Sequence, residues 1–218
     1  MAAMKLFVWD FHGVLEKGNE KAVIEISNKI LENAGYQERF SEEAILKLYG
    51  KKWYQYFECL LPQEPTEKHL YLQKMCVDYQ LNNPAVIKTF IKPNDHVNEV
   101  LEKIAEKHKQ ILISNTSKAS LLWFMDAVGV TKFFPSSNVL AINSHKVKIK
   151  KSKSDILRAF LNRKSFSEIV VIGDNSEDLA MKNVAGVVSY LYAHPGRDFA
   201  HCDADYKIND LREILREI

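Results

Sequence analysis

Leu6-Phe7-Val8-Trp9-Asp10-Phe11-His12-Gly13-Val14-Leu15 decides the fold: an apolar run ends on a carboxylate, and a glycine follows within three residues. An apolar run this short, bounded by turn residues, reads as a strand buried on both faces. A carboxylate at the C-terminal end of such a strand lies where open parallel α/β sheets collect ligands, because the loops diverge there and leave a crevice. A lone aspartate in that place can equally cap a turn. A second stretch shifts the balance: Glu168-Ile169-Val170-Val171-Ile172-Gly173-Asp174-Asn175-Ser176-Glu177-Asp178 runs from β-branched residues into Gly-Asp, with another aspartate four places on. Two strand ends then offer Asp10, Asp174 and Asp178 to one crevice, with Asp10 placed as a nucleophile would be.

Residues four apart on a helix share a face. If Ser176 opens the helix carrying Leu179 and Met181, Asp178 lies in its first turn and can point back toward Asp174. One carboxylate can then bind a cation while the other fixes the surrounding geometry, as carboxylates with phosphate oxygens and waters do for magnesium. The alternative is that Asp178 simply favours the positive helix end. Between these strands, Lys109-Gln110-Ile111-Leu112-Ile113-Ser114-Asn115-Thr116 finishes an apolar strand on a hydroxyl. Ser114, with the backbone N–H groups after it, can donate to a phosphate oxygen, or act as a helix cap. The fourth element is basic, His145-Lys146-Val147-Lys148-Ile149-Lys150-Lys151-Ser152-Lys153, and ends where a helix begins at Ser154. Most such lysines are solvated, but one just before a helix can neutralise charge between a carboxylate and a phosphoryl group.

In this order the four elements resemble the haloacid dehalogenase-like superfamily, whose members are mostly magnesium-dependent phosphohydrolases. The resemblance implies a doubly wound, Rossmann-like α/β core and an Mg2+ cofactor. It makes Asp10 the nucleophile, Ser114 the second-motif hydroxyl, and Gly173-Asp174 with Asp178 the acidic motif. The metal set it implies is Asp10, the backbone carbonyl of His12, Asp174 and Asp178; the phosphate contacts are Ser114, Asn115, Lys151 and Lys153. For the motif lysine, Lys151-Ser152-Lys153-Ser154 lies over a Lys-Pro-x-Pro pattern with serines for both prolines and favours Lys151, whereas a second family form favours Lys153. His12 departs from the family, whose phosphatases usually carry a second aspartate there as general acid and base. An imidazole can do either job. A phosphatase acting on a small phosphorylated metabolite is therefore the leading expectation. A catalytically weak phosphate-binding or regulatory protein and a dehalogenase are the alternatives.

The remaining sequence sets bounds. With 218 residues and a formal charge of +2, the chain suits one core plus an insertion, and nothing points to nucleic acid or a membrane surface. Cys59, Cys76 and Cys202 lack metal spacing and read as reduced thiols of a cytoplasmic protein. No signal-type apolar segment is expected, because Asp10 interrupts the first apolar stretch. From Lys17 to about Pro93 the pattern becomes helical: Ala22, Val23, Ile26, Ile30 and Leu31 share a face, and Ser41-Glu42-Glu43 starts another helix. Tyr49, Trp53, Tyr54, Tyr56 and Phe57 form an aromatic cluster there. The expected organisation is a core of residues 1–16 and 94–218 with a helical cap of residues 17–93, an insertion the family uses to cover the crevice. Lys51, Lys52 and the aromatics either meet substrate or, for the rings, form the cap's own core. Alternating strands and helices in the second half imply a parallel sheet.

Overall fold

The computed structural model describes residues 4–218 apart from 49, 143–150, 163, 185, 195–198 and 200. Six strands form one sheet in the order β5-β4-β1-β6-β7-β8, and every pairing is parallel. They are β1 (Leu6–Trp9), β4 (Lys109–Ser114), β5 (Val139–Ala141), β6 (Ile169–Gly173), β7 (Val187–Tyr192) and β8 (Tyr206–Ile208). A separate two-residue ladder joins β2 (Glu16–Lys17) to β3 (Lys92–Pro93) in antiparallel register.

Alternation sorts the strand side chains to two cores. Phe7, Trp9, Leu112, Val170, Ile172 and Tyr190 pack on one face. Leu6, Val8, Ile111, Ile113 and Val171 pack on the other with Leu157. Covered on both sides, the strands read as continuous apolar runs rather than alternating ones. Phe7 and Trp9 have no exposed surface, and each such burial contributes about 1.5–3 kcal/mol. The Trp9 indole N–H, which burial would orphan, donates to Gln110 Oε1 at 3.0 Å, and Gln110 Nε2 donates in turn to the Leu101 carbonyl at 2.8 Å.

The core helices are α6 (Val97–Ala105), α7 (Lys118–Ala127), α8 (Lys153–Leu161) and α9 (Ser176–Leu179), and a 3-10 segment spans Leu211–Glu217. The helical insertion comprises α1 (Asn19–Asn33), α2 (Glu42–Leu48), α3 (Trp53–Leu60), α4 (Thr66–Asn82) and α5 (Pro84–Phe90). The Ser41 hydroxyl accepts from Ala44 N and starts α2, as the sequence indicates. Within the insertion Phe57 and Tyr56 are buried, and Trp53 Nε1 donates to Ser27 Oγ of α1 at 2.8 Å. Tyr49, of the same aromatic cluster, lies outside the described residues, as do His145 to Lys150 of the basic run. Among the described residues no helix is long and apolar enough to cross a membrane.

Two features depart from the sequence expectation. The last element, where the alternation predicts a helix from Asp210 to Glu217, is a 3-10 segment capped by Asp210, which accepts from Arg212 N. Helix α8 begins one residue earlier than its periodicity suggests. Ser152 and Asp155 cap each other reciprocally, Ser152 Oγ accepting from Asp155 N and Asp155 Oδ2 from Ser152 N, and this box sets Lys153 as the first helical residue.

Candidate active site

Parallel register brings three strand ends to one edge. Trp9 is level with Leu112 of β4 and Ile172 of β6. Asp10 follows Trp9 directly, and Ser114 and Asp174 lie two residues beyond its partners, so all three reach the crevice where strand order reverses about β1. Asp10 N also donates to the Ile172 carbonyl at 2.9 Å, extending the pairing to the acid itself. A cavity of about 160 Å³ opens there, lined by Asp10, His12, Ser114, Asn115, Thr116 and Lys153 from the core. From the insertion, Lys51, Lys52, Trp53, Tyr56 and Gln80 line the same cavity.

Its floor is a buried ionic cluster. Lys153 Nζ lies 2.5 Å from Asp10 Oδ1 and 2.5 Å from Asp178 Oδ1. Asp178 Oδ2 accepts from Asp174 N at 3.1 Å, so both Asp178 oxygens are engaged and its orientation is fixed. Gly173 makes this approach possible: a Cβ there would lie 2.8 Å from both Asp178 Cγ and Oδ2, and closer still to Asp178 Cβ. The helix carrying Asp178 is capped by Asn175, whose Oδ1 accepts from Glu177 N and Asp178 N. Ser176 is therefore the first helical residue, as the sequence indicates.

Of the two candidate lysines, the one that reaches the carboxylates is Lys153. Lys151 precedes the cap of α8 and is exposed, whereas Lys153 shares a buried face with Leu157, one turn on. This geometry favours Lys153, where alignment with the motif favours Lys151. The signal that separates the two was present in the sequence as Ser152-x-x-Asp155, a capping box that moves the helix start.

Crowding of acids shows in their proton affinities. Burial raises the Asp178 carboxyl to about 6, with the Asp10 charge adding to it and Lys153 opposing. Burial likewise raises Asp10, opposed by Lys153 and reinforced by Asp174. Burial by itself would lower Lys153, but Asp10 and Asp178 together raise it, so it stays charged. Ligand atoms of Asp10, Asp174 and Asp178 lie within 4.8 Å of one another, and Lys153 is paired with two of the three, Asp10 and Asp178. An excess of buried negative charge built of oxygen donors suits a hard divalent cation.

His12 sits beside the cluster in a tightly defined setting. Its Nδ1 meets Glu16 Oε1 at 2.9 Å and its Nε2 meets Thr116 Oγ1 at 3.1 Å. The ring contacts Phe11 and Phe124 edge-on, at centroid distances of 5.1 and 4.9 Å. Ser114 is buried at the cavity wall, and Asn115 Nδ2 donates to Glu177 Oε2 at 2.8 Å. Glu16 and Thr116 were not singled out by the sequence. The available signal was the i,i+4 spacing of His12 and Glu16, which carries weight only in a helix and here occurs in a turn.

Residues 7–191 match the family model described as haloacid dehalogenase-like hydrolase. No curated protein matches the chain. Among solved structures, a predicted phosphoglycolate phosphatase from Haemophilus somnus superposes with a TM-score of 0.81 at 18% identity, covering 100% of this chain and 99% of its own. A haloacid dehalogenase-like family protein from Streptococcus pneumoniae gives 0.77 at 12% identity, with 100% and 99% covered. A family hydrolase from Deinococcus radiodurans, solved with bound phosphate and sodium, gives 0.68 at 16%, with 98% and 94% covered. At these identities the likeness is one of fold.

Proposed function

The chain belongs to the haloacid dehalogenase-like hydrolase family, and from that premise we propose that it is a magnesium-dependent phosphatase acting on a small phosphomonoester. The observation that carries this reading is the buried pairing of the Lys153 ammonium with Asp10 and Asp178 in the cavity that Ser114 also lines, with Asp10 placed as a carboxylate nucleophile would be. The phosphate-bound relative and the relative described as a phosphoglycolate phosphatase support it.

In this reading Asp10 attacks phosphorus in line, and the bond from phosphorus to the leaving oxygen breaks as an aspartyl-phosphate forms. His12 gives its proton to the leaving oxygen, then takes a proton from the water that hydrolyses the acyl-phosphate. Ser114, Asn115 and Lys153 hold phosphoryl oxygens, and Asp178 keeps Lys153 in place. Asp10, Asp174 and the His12 backbone carbonyl would hold Mg2+, with Asp178 alongside. The ion supplies neutralisation of the charge gathered on the transferring group. Helices α1 to α5, within residues 17–93, act as a cap that excludes water and presents Lys51 and Trp53 to the substrate.

Hydrolysis of p-nitrophenyl phosphate with magnesium, with EDTA and with Asp10→Asn tests the reading. Phosphate release that falls to background with EDTA, returns with magnesium and is absent in Asp10→Asn is expected. Magnesium at 100 times its Kd should also stabilise the fold by about 2.7 kcal/mol, seen as a raised Tm. Release that survives Asp10→Asn would overturn the proposal, and phosphate binding with no release would favour the weakly catalytic binding protein.

A further inference from the structure

Glu16 is the least expected residue of the crevice: a carboxylate with no exposed surface, placed on β2. Its Oε1 accepts from Gly13 N at 3.2 Å and meets His12 Nδ1 at 2.9 Å. Its Oε2 has no hydrogen-bond partner among the described residues. A buried carboxylate with one orphaned oxygen is a liability to stability. An apolar side chain would serve the packing better, so the carboxylate calls for a role besides packing.

We propose that Glu16 is a positioning residue for His12, fixing its tautomer and its aim. Oε1 already accepts from Gly13 N, and with that same acceptor oxygen facing it, Nδ1 carries the proton of the contact. Nε2 then bears the lone pair of the neutral ring and points the other way, onto the Thr116 hydroxyl at 3.1 Å and the cavity that Thr116 lines. Phe11 and Phe124 hold the ring edge-on and close off rotation. The carboxylate, imidazole and hydroxyl stand in the order used wherever an acid orients a histidine toward a reacting oxygen. Here the Thr116 hydroxyl occupies the place of that oxygen. A substrate leaving oxygen, and later the attacking water, replaces it at Nε2: the ring enters the first step as imidazolium, protonated on both nitrogens, and its Nε2 proton passes to the leaving oxygen as that oxygen keeps the electron pair of the broken bond to phosphorus; the neutral Nδ1–H ring then takes a proton from water at Nε2 as the water oxygen bonds phosphorus, which restores the imidazolium. Glu16 exchanges no proton. The inference rests on the phosphatase reading for its catalytic consequence but not for the tautomer.

Two measurements test it. In 15N-resolved NMR of the His12 ring, the neutral imidazole should carry its proton on Nδ1 in the wild type and in Glu16→Gln, whose Oε1 still accepts. In Glu16→Val the proton should move to Nε2 or be shared. An Nε2–H tautomer in the wild type, or unchanged ring shifts in Glu16→Val, overturns the proposal whether or not the protein is a phosphatase. Kinetics give the second readout, with p-nitrophenyl phosphate and phenyl phosphate as probes of similar shape and different leaving-group acidity. Glu16→Val should lower kcat on phenyl phosphate about 10–100-fold, with KM little changed, and lower kcat on p-nitrophenyl phosphate far less. Glu16→Gln should recover most of that loss, and Glu16→Val should add nothing in a His12→Ala background. Equal losses on both substrates, or full additivity with His12→Ala, overturn the proposal. Wild-type protein inactive on both substrates, with the Nδ1–H tautomer present, would instead count against the phosphatase reading alone.

Discussion

Replacing Gly173 with alanine tests whether the acidic cluster is held by steric fit. Gly173 is the last residue of β6, and the side of its Cα that would bear a Cβ is filled by Asp178: Cγ and Oδ2 would both lie 2.8 Å away, and Cβ nearer still. Backbone conformation is not the obstacle, since Gly173 does not use a positive φ. Ordinary contact between such atoms is about 3.5–4 Å, so helix α9 or strand β6 must yield by roughly an ångström. Overpacking of a filled interior costs about 1–3 kcal/mol. Pulling Asp178 from Lys153 and from Asp174 N sacrifices a charge-assisted hydrogen bond worth about 1.5–3 kcal/mol. The expected destabilisation centres on about 4 kcal/mol, a fall in Tm of roughly 8–16 °C at this chain length. Thermal and urea denaturation of Gly173→Ala measure it. Because the clash begins at Asp178 Cβ, the same change made in Asp178→Gly protein should cost much less. A Gly173→Ala protein with wild-type stability, or an undiminished penalty in the Asp178→Gly background, refutes the argument.

Two further outcomes follow from the charges. Lys153→Met should destabilise by about 3–5 kcal/mol, because it leaves Asp10 and Asp178 buried without their counter-charge, whereas Lys151→Met at the exposed position should stay within about 0.5 kcal/mol; urea titration of the pair distinguishes them, and equal effects would reverse the lysine assignment. Asp210, held down chiefly by the Arg212 side chain, should titrate at about 2 by NMR. Its folded pKa is depressed, so its contribution is present above the unfolded carboxylate range and lost as pH falls toward 2; at this partly exposed site it is at most about 1 kcal/mol. Arg212→Ala should return the midpoint toward 3.8, and an unmoved midpoint would sink the assignment.

The parts of the molecule legible in the sequence are those with a period or an abrupt change of polarity. Strands β1, β4 and β6 were readable because burial on both faces leaves continuous apolar runs, and Asp10, Ser114 and Asp174 because each ends such a run. The sequence also makes Asp178 a candidate to point back toward Asp174, because a helix opened by Ser176 carries it in the first turn, and Asp178 Oδ2 accepts from Asp174 N. What escaped is what depends on contacts across the fold. The ladder β2–β3 has two residues a side, too few for any pattern, and pairs positions far apart in the chain. Glu16 looks like a surface residue until the fold buries it against His12. The choice of lysine turns on a single residue of helix start: alignment with the Lys-Pro-x-Pro pattern favours Lys151, and the local capping box favours Lys153.

The β2–β3 ladder has one more implication. Both crossings between the sheet-bearing part and the helical insertion run through it, with Glu16 opposite Pro93 and Lys17 opposite Lys92. Just beyond, Gly18 adopts φ 97° where a side chain would strike the Phe90 carbonyl. The insertion therefore leaves and re-enters at adjacent points, as a detour from a continuous path. Its helices can be lengthened or exchanged without re-registering any strand of the sheet, so that the wall supplied by Lys51, Lys52 and Trp53 can vary while Asp10, Ser114 and Asp174 keep their places.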